Sequence, residues 1–248
     1  MNAAWLGAAL ALLGGPEARA AMTIATIGDS LADAIYLGLK LQPQLLKDND
    51  IRLVRWSRAR VGLTRTDYFD YSGWLSGKDR AESADFCVVE MGANDLQSIP
   101  VGKYKWAAVG SAEWRRIYTA RVEAMLATLA PRCRQVMWLL QPGYERNAFL
   151  NRHNAMINRA QFDGVKSAAM AFEVVTSGAD YQADGIHFNG PFSLKLAQSI
   201  VREFDSWRGF AQSCSGCHGA GNQAAWGVGH APLKKPAAAA GAALEPAP

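Results

Sequence analysis

The sequence predicts an α/β fold, a flavodoxin-like doubly wound sheet of about five parallel strands with helices on both faces. Two observations carry this. Five short runs are apolar almost without interruption, as strands are when helices cover both faces. Between them, apolar residues recur at three- and four-residue spacing, the pattern of amphipathic helices. Strands alternating with helices give parallel sheets joined by right-handed crossovers.

The five strands are expected at "MTIATI" (22–27), "IRLVRW" (51–56), "FCVVEM" (86–91), "QVMWLL" (135–140) and "MAFEVV" (170–175). One helix is marked by Trp114, Ile117, Tyr118, Val122, Met125 and Leu129, and Pro131 ends it. Another follows Pro191, with Leu196, Ile200 and Phe204 repeating beside Ala197 and Val201. Cys87 and Cys133 both fall in strand-like runs and read as buried thiols. A disulfide between them is the alternative in an oxidising compartment.

The chain ahead of the first strand has its own layout. An apolar run from Ala3 to Leu13 precedes Ala18-Arg19-Ala20, which reads as a secretory signal with its cleavage site over residues 1–20; a short membrane anchor is the alternative. No later stretch offers eighteen uninterrupted apolar residues, so the cleaved protein is not expected to span a membrane. A periplasmic or secreted location follows. Half the residues are hydrophobic and 19% are charged, enough for a sizeable core. The net charge of +4 comes without a Lys/Arg cluster, which argues against a nucleic-acid partner.

In doubly wound sheets ligands bind beyond the carboxyl ends of the strands. After the first strand comes "GDSL", Gly28 to Leu31, with Ser30 at the start of a helix whose amino end favours a developing anion. After the third comes "GAND", Gly92 to Asp95, where the Asn94 amide can face a carbonyl oxygen. After the fifth comes "ADGIHFNG", with Asp184 and His187 three residues apart. That spacing lets the Asp accept the His Nδ1 hydrogen and leave Nε2 free as a base. Singly these are ordinary cap, turn and surface residues. Together, each after a different strand of one sheet, they form the set a serine hydrolase needs.

These motifs resemble the SGNH (GDSL) hydrolase superfamily over roughly residues 22 to 205. The resemblance implies Ser30 as nucleophile, with His187 as general base and acid oriented by Asp184. It also implies an oxyanion hole from the Ser30 N–H, a glycine N–H after the second strand and the Asn94 amide. Gly62 is the only glycine between that strand and Gly73, and takes the second place. "GLTRTDYFDY", with Trp114, Tyr118, Arg121 and Val122, resembles an exported bacterial subgroup of unknown function. Asp67 and Asp70 in that segment suit helix starts. The implied activity is hydrolysis of small O-acyl esters, acetyl above all, on a carbohydrate, through an acyl-Ser30 intermediate. Substrate choice is expected in loops 96–111 and 142–149. O-acyl transfer to an envelope polysaccharide is the alternative, and no metal or cofactor is needed for the chemistry.

Near the carboxyl end stands "GFAQSCSGCHGAGN", residues 209–222. Phe210 with Cys214, Cys217 and His218 resembles the first helix and attachment site of a class I cytochrome c, implying thioethers from both cysteines and iron bound by His218. Every Met lies before residue 171, so the usual Met ligand is missing, and His230 is a candidate in its place. A Cys214–Cys217 disulfide, a truncated remnant and a zinc site with His218 and His230 are the other readings. A haem-binding redox protein carrying a non-catalytic hydrolase-like domain is the competing function. The expected organisation is a signal over 1–20, a hydrolase domain over 21–206, a cytochrome-like segment over 207–230 and an Ala/Pro-rich tail over 231–248.

Overall fold

The computed structural model describes residues 21–78, 82–166 and 168–213. Residues 1–20, where a secretory signal is expected, lie outside the described residues, as do Cys214, Cys217, His218, His230 and the tail.

Five parallel strands form the central sheet: β1 (Met22–Gly28), β2 (Ile51–Ser57), β3 (Ala84–Glu90), β6 (Cys133–Leu140) and β7 (Met170–Glu173). A two-stranded antiparallel hairpin, β4 (Ile99–Gly102) and β5 (Lys105–Ala107), follows β3. The sheet order is β2-β1-β3-β6-β7, so the chain runs outward from β1 in one direction and then in the other. The topological switch lies between β1 and β3, where a crevice opens at the strands' carboxyl ends. This is the predicted fold class.

Alternation along the strands divides the core in two. Ile24, Phe86, Val88, Met137 and Leu139 pack toward α1 (Ser30–Lys40) and α6 (Gly190–Ser213). Ala25, Ile27, Cys87, Val89, Val136 and Trp138 pack toward α3 (Tyr71–Ser76), α4 (Ala112–Leu129) and α5 (Ala148–Val165). Successive residues thus serve opposite layers, the physical reason the strands read as unbroken apolar runs. A short helix, α2 (Pro43–Asp48), leads from α1 into β2.

The predicted helix faces are the buried ones. Trp114, Tyr118, Val122, Met125 and Leu129 are fully buried on α4, which starts where the Ser111 side chain accepts the Trp114 N–H. On α6, Leu196, Ala197, Ile200, Val201 and Phe204 are buried, and Asn189 Oδ1 accepts the Phe192 N–H at its start.

Two expectations need correction. Cys87 and Cys133 are not free thiols: they form a disulfide between the neighbouring strands β3 and β6, with Cα atoms 5.8 Å apart. Both cysteines belong to the core cluster beneath α4. The boundary drawn at 206/207 also moves. α6 continues unbroken to Ser213, and Trp207 lies against Phe86 and Phe204 in the core. Phe210 packs on the same cluster, so the residue that resembled part of a cytochrome helix belongs to the last helix of the α/β fold.

Candidate active site

The site begins with the turn from β1 into α1. Gly28 has φ +134°, and a Cβ there would fall 1.6 Å from the Glu90 carbonyl oxygen. Only glycine permits that approach. Asp29 then caps the helix by accepting the Leu31 N–H at 2.9 Å, and Ser30 becomes the first residue of α1. Its hydroxyl therefore sits where the helix dipole favours negative charge.

The other half comes from the segment between β7 and α6. A short 3-10 helix, Gly178–Asp180, leads into a closed loop in which Tyr181 and Phe188 pair as an isolated bridge and are both buried. The Gln182 N–H donates to the His187 carbonyl at 2.8 Å, and the Gln182 side chain donates to the Phe188 carbonyl at 3.0 Å. Gly185, at φ +67°, passes so close to Arg146 that a Cβ would meet its atoms at 2.8 Å. The backbone cross-bonds hold the loop in one conformation, with Asp184 and His187 on its exposed side.

There the predicted residues meet. His187 Nε2 lies 2.9 Å from Ser30 Oγ, and His187 Nδ1 lies 2.6 Å from Asp184 Oδ2. Asp184 Oδ1 accepts the Ile186 and His187 N–H groups at 2.9 and 3.0 Å. Partial burial would raise the Asp184 pKa; the His187 hydrogen bond and the two backbone donors outweigh it and hold the carboxyl at about 2. As a carboxylate it accepts the Nδ1 hydrogen, and this tautomer leaves Nε2 to accept the Ser30 O–H.

Asn94 stands across the crevice. Its Nδ2 donates to Asp29 Oδ2 at 3.2 Å and to the Val61 carbonyl at 3.0 Å. Gly62 follows immediately, and a Cβ on it would fall 2.3 Å from Asp95 Oδ1 and 3.5 Å from Asn94 Cβ. The fold thus brings Ser30, Gly62, Asn94, Asp184 and His187 to one crevice. Of the two other acids, Asp70 caps α3 through the Gly73 N–H, whereas Asp67 is exposed and paired with Arg65.

Beneath these residues lies a layer that sequence reasoning missed: Asp29, Glu90 and Asp95, all fully buried. Asp95 accepts from the Thr64 N–H and hydroxyl at 2.9 and 3.1 Å and from the Tyr118 hydroxyl at 2.9 Å. Burial nevertheless raises its pKa, and raises that of Asp29 to about 6. One signal was available: Glu90 is an acid inside the apolar run "FCVVEM", and acids are seldom buried unless paired. Among the described residues, no group of three or more His, Cys, Asp or Glu side chains is arranged to hold a metal ion.

Comparison with known proteins follows this geometry. No curated protein sequence matches the chain. Among solved structures, Axe2, an acetylxylan esterase from Geobacillus stearothermophilus, superposes with a TM-score of 0.55 at 14% identity, covering 74% of this chain and 94% of that one. LAE5, an alpha/beta hydrolase enzyme from the metagenome of Lake Arreo, Spain, gives 0.55 at 15% identity with the same coverage. Two further matches are catalytic mutants of Axe2, one with a serine and one with a histidine replaced by alanine. At these identities the likeness is one of fold. A family model matches residues 23–185, a span that includes Ser30, Gly62, Asn94 and Asp184. By that match the chain belongs to the family described as Protein of unknown function (DUF459).

Proposed function

We propose that the protein is an exported serine esterase of the SGNH type that removes small acyl groups, acetyl above all, from a carbohydrate. The observation that carries this reading is the hydrogen-bonded series Asp184–His187–Ser30 at the switch point of the sheet. Its chemistry is acyl transfer. His187 Nε2 takes the Ser30 proton as Oγ bonds to the ester carbonyl carbon, and the carbonyl π electrons move onto oxygen. The N–H groups of Ser30 and Gly62 and the Asn94 amide receive that oxyanion. The Asn94 amide donates to Asp29 and to the Val61 carbonyl, and it exchanges the Val61 carbonyl for the oxyanion as the tetrahedral species forms. Collapse breaks the C–O bond, and the departing alkoxide takes the proton from His187. Water then attacks acyl-Ser30 with His187 again as base, releasing the acid. With a sugar hydroxyl in place of water, the same steps give O-acyl transfer.

A carbohydrate substrate is supported by the acetylxylan esterases that share the fold and by the rim of the crevice. Tyr68, Tyr104 and Trp106 are exposed on the segments after β2 and β3. Ile99 and Ala107 anchor the hairpin inward, while Trp106 lies across from Pro100 on its outer side. The Arg65 guanidinium stands 5.8 Å from the Trp106 ring, three residues along from Gly62. Flat exposed rings suit the C–H faces of sugars. The Cys87–Cys133 disulfide agrees with an oxidising compartment and so with export.

The deciding experiment is hydrolysis of a short-chain chromogenic acetate by the mature protein and by Ser30→Ala. Turnover by the first, falling about 10⁴-fold or more in the second, is the expected result. Equal rates in both would remove Ser30 from the chemistry.

A further inference from the structure

Strand β3 ends on Glu90, whose backbone pairs with Gly28 on one side and Leu139 on the other. Its carboxyl is fully buried. Oε1 accepts from Gln141 Nε2 at 2.8 Å, and Gln141 is itself fixed by the Tyr144 hydroxyl, which donates to Gln141 Oε1 at 2.7 Å. Oε2 is buried and has no hydrogen-bond partner. The Asp29 carboxyl lies close by: the Asp29 backbone N–H donates to the Glu90 carbonyl at 3.2 Å, the residue is fully buried as well, and its charge acts on Glu90. Two buried carboxyls side by side without a cation are not both ionised. A proton on Oε2 gives that atom a role, as a donor toward Asp29.

Asp29 is already held from its other sides. Its Oδ1 accepts the Leu31 N–H at 2.9 Å, and its Oδ2 faces Asn94 Nδ2 at 3.2 Å and the Gly92 N–H at 3.5 Å. The same carboxylate therefore caps the nucleophile's helix and orients the Asn94 amide.

We propose that Glu90 is a positioning residue: it carries a proton on Oε2, donates it to Asp29, and so holds Asp29 as the acceptor that aims Asn94 at the oxyanion. The inference rests on the esterase reading given above for its part in turnover, though not for the shared proton. Among the described residues, the groups acting on the pair offer no counter-charge for a second anion. They are Asp95 from the segment after β3, Tyr118 from α4, Tyr144 from the segment after β6, Tyr71 from α3 and Tyr181 from the loop ahead of α6. Arg121, the cation whose charge acts on Asp95, donates to the Leu63 and Thr64 carbonyls instead. Burial, followed by the Asp29 charge, raises the Glu90 pKa well above the ordinary carboxylate value.

The sign of the pH dependence follows. A carboxyl whose folded-state pKa is raised costs no stability below its unfolded value and progressively destabilises the fold as pH rises toward the folded value. Glu90→Gln offers Asp29 the same donor and Gln141 the same acceptor, yet has no proton to lose. Its melting temperature is expected to gain on that of the wild-type protein as pH rises above the ordinary carboxylate range. On a chromogenic acetate, Glu90→Leu is expected to lower kcat by about 10²-fold with KM little changed, as loss of an aimed oxyanion donor does. Glu90→Gln should recover about tenfold or more of that kcat. Parallel melting curves for wild type and Glu90→Gln would overturn the shared proton. Undiminished kcat in Glu90→Leu, or equal losses in both variants, would overturn the positioning role. A wild-type protein inert on the ester would remove the esterase reading and the role in turnover with it, while the melting curves still decide where the proton lies.

Discussion

His187 Nε2 and Ser30 Oγ, 157 positions apart in the chain, lie 2.9 Å from each other. Neither belongs to the interior of a strand or helix. Ser30 is the first residue of α1, and His187 sits on the loop ahead of α6. Those two helices pack together on one face of the sheet, so the contact depends on that packing.

Asp184 provides a pH test with a definite sign. Its carboxyl is held at about 2 in the folded protein against 3.8 ordinarily. A depressed carboxyl contributes stability that is present above its unfolded value and lost as pH falls through the folded one. The melting-temperature gap between wild type and Asp184→Asn should therefore be full above about pH 4 and closed near pH 2. At neutral pH the same variant should lose about 10²–10⁴ in kcat, because an amide no longer selects the required His187 tautomer. A constant gap across that range would show that the carboxylate is not what His187 stabilises.

Asn94→Ala and Gly62→Ala should separate chemistry from space. Removing the Asn94 amide is expected to lower kcat by about 10²–10³ with little change in KM. Gly62→Ala keeps its N–H but places a Cβ 2.3 Å from the buried Asp95 carboxylate. It is expected to cost about 1–3 kcal/mol in stability, read as a shifted denaturant midpoint. A Gly62→Ala protein of undiminished stability would mean that the loop relaxes away from Asp95.

The disulfide should matter to stability and little to turnover. It closes a span of 46 positions, for which chain entropy gives about 4 kcal/mol. Cys133 lies at the start of β6, at the end of the sheet opposite the crevice. Denaturant midpoints measured with and without Cys87→Ala/Cys133→Ala should differ by that order, at nearly equal kcat for the folded fractions.

Trp106 tests the rim. Trp106→Ala should raise KM for an acetylated oligosaccharide several-fold and leave hydrolysis of a small chromogenic acetate almost unaltered. Parallel losses on both substrates would assign the residue to folding of the hairpin.

The Cys-x-x-Cys-His stretch has a separate assay, because it lies outside the described residues. If thioethers form at Cys214 and Cys217 when haem-attachment proteins are present, the exported chain will show a Soret band that survives denaturation. Cys214→Ser should weaken it. A colourless protein would leave the esterase proposal intact.

The sequence by itself determined the sheet and the helix faces, and it singled out Ser30, Asn94, Asp184 and His187 as candidates. Each rests on local physics: unbroken apolar runs between amphipathic helices, Gly-Asp-Ser at a strand-to-helix turn, and Asp and His at a spacing that lets one orient the other. Phe210 read as part of a separate segment because a helix that leaves one core looks locally like the start of another. Only the packed core places Trp207 and Phe210 against the sheet. Cys87 and Cys133 stayed ambiguous for a similar reason, since only the folded chain brings residues 46 positions apart together. The buried carboxyls left one trace in the sequence, the acid Glu90 inside an apolar run, and nothing that showed their partners. Whether an acid in an apolar strand is paired, protonated or exposed depends on neighbours from other elements. Here Asp29, Gln141 and Tyr144 surround Glu90 only once the strands lie side by side.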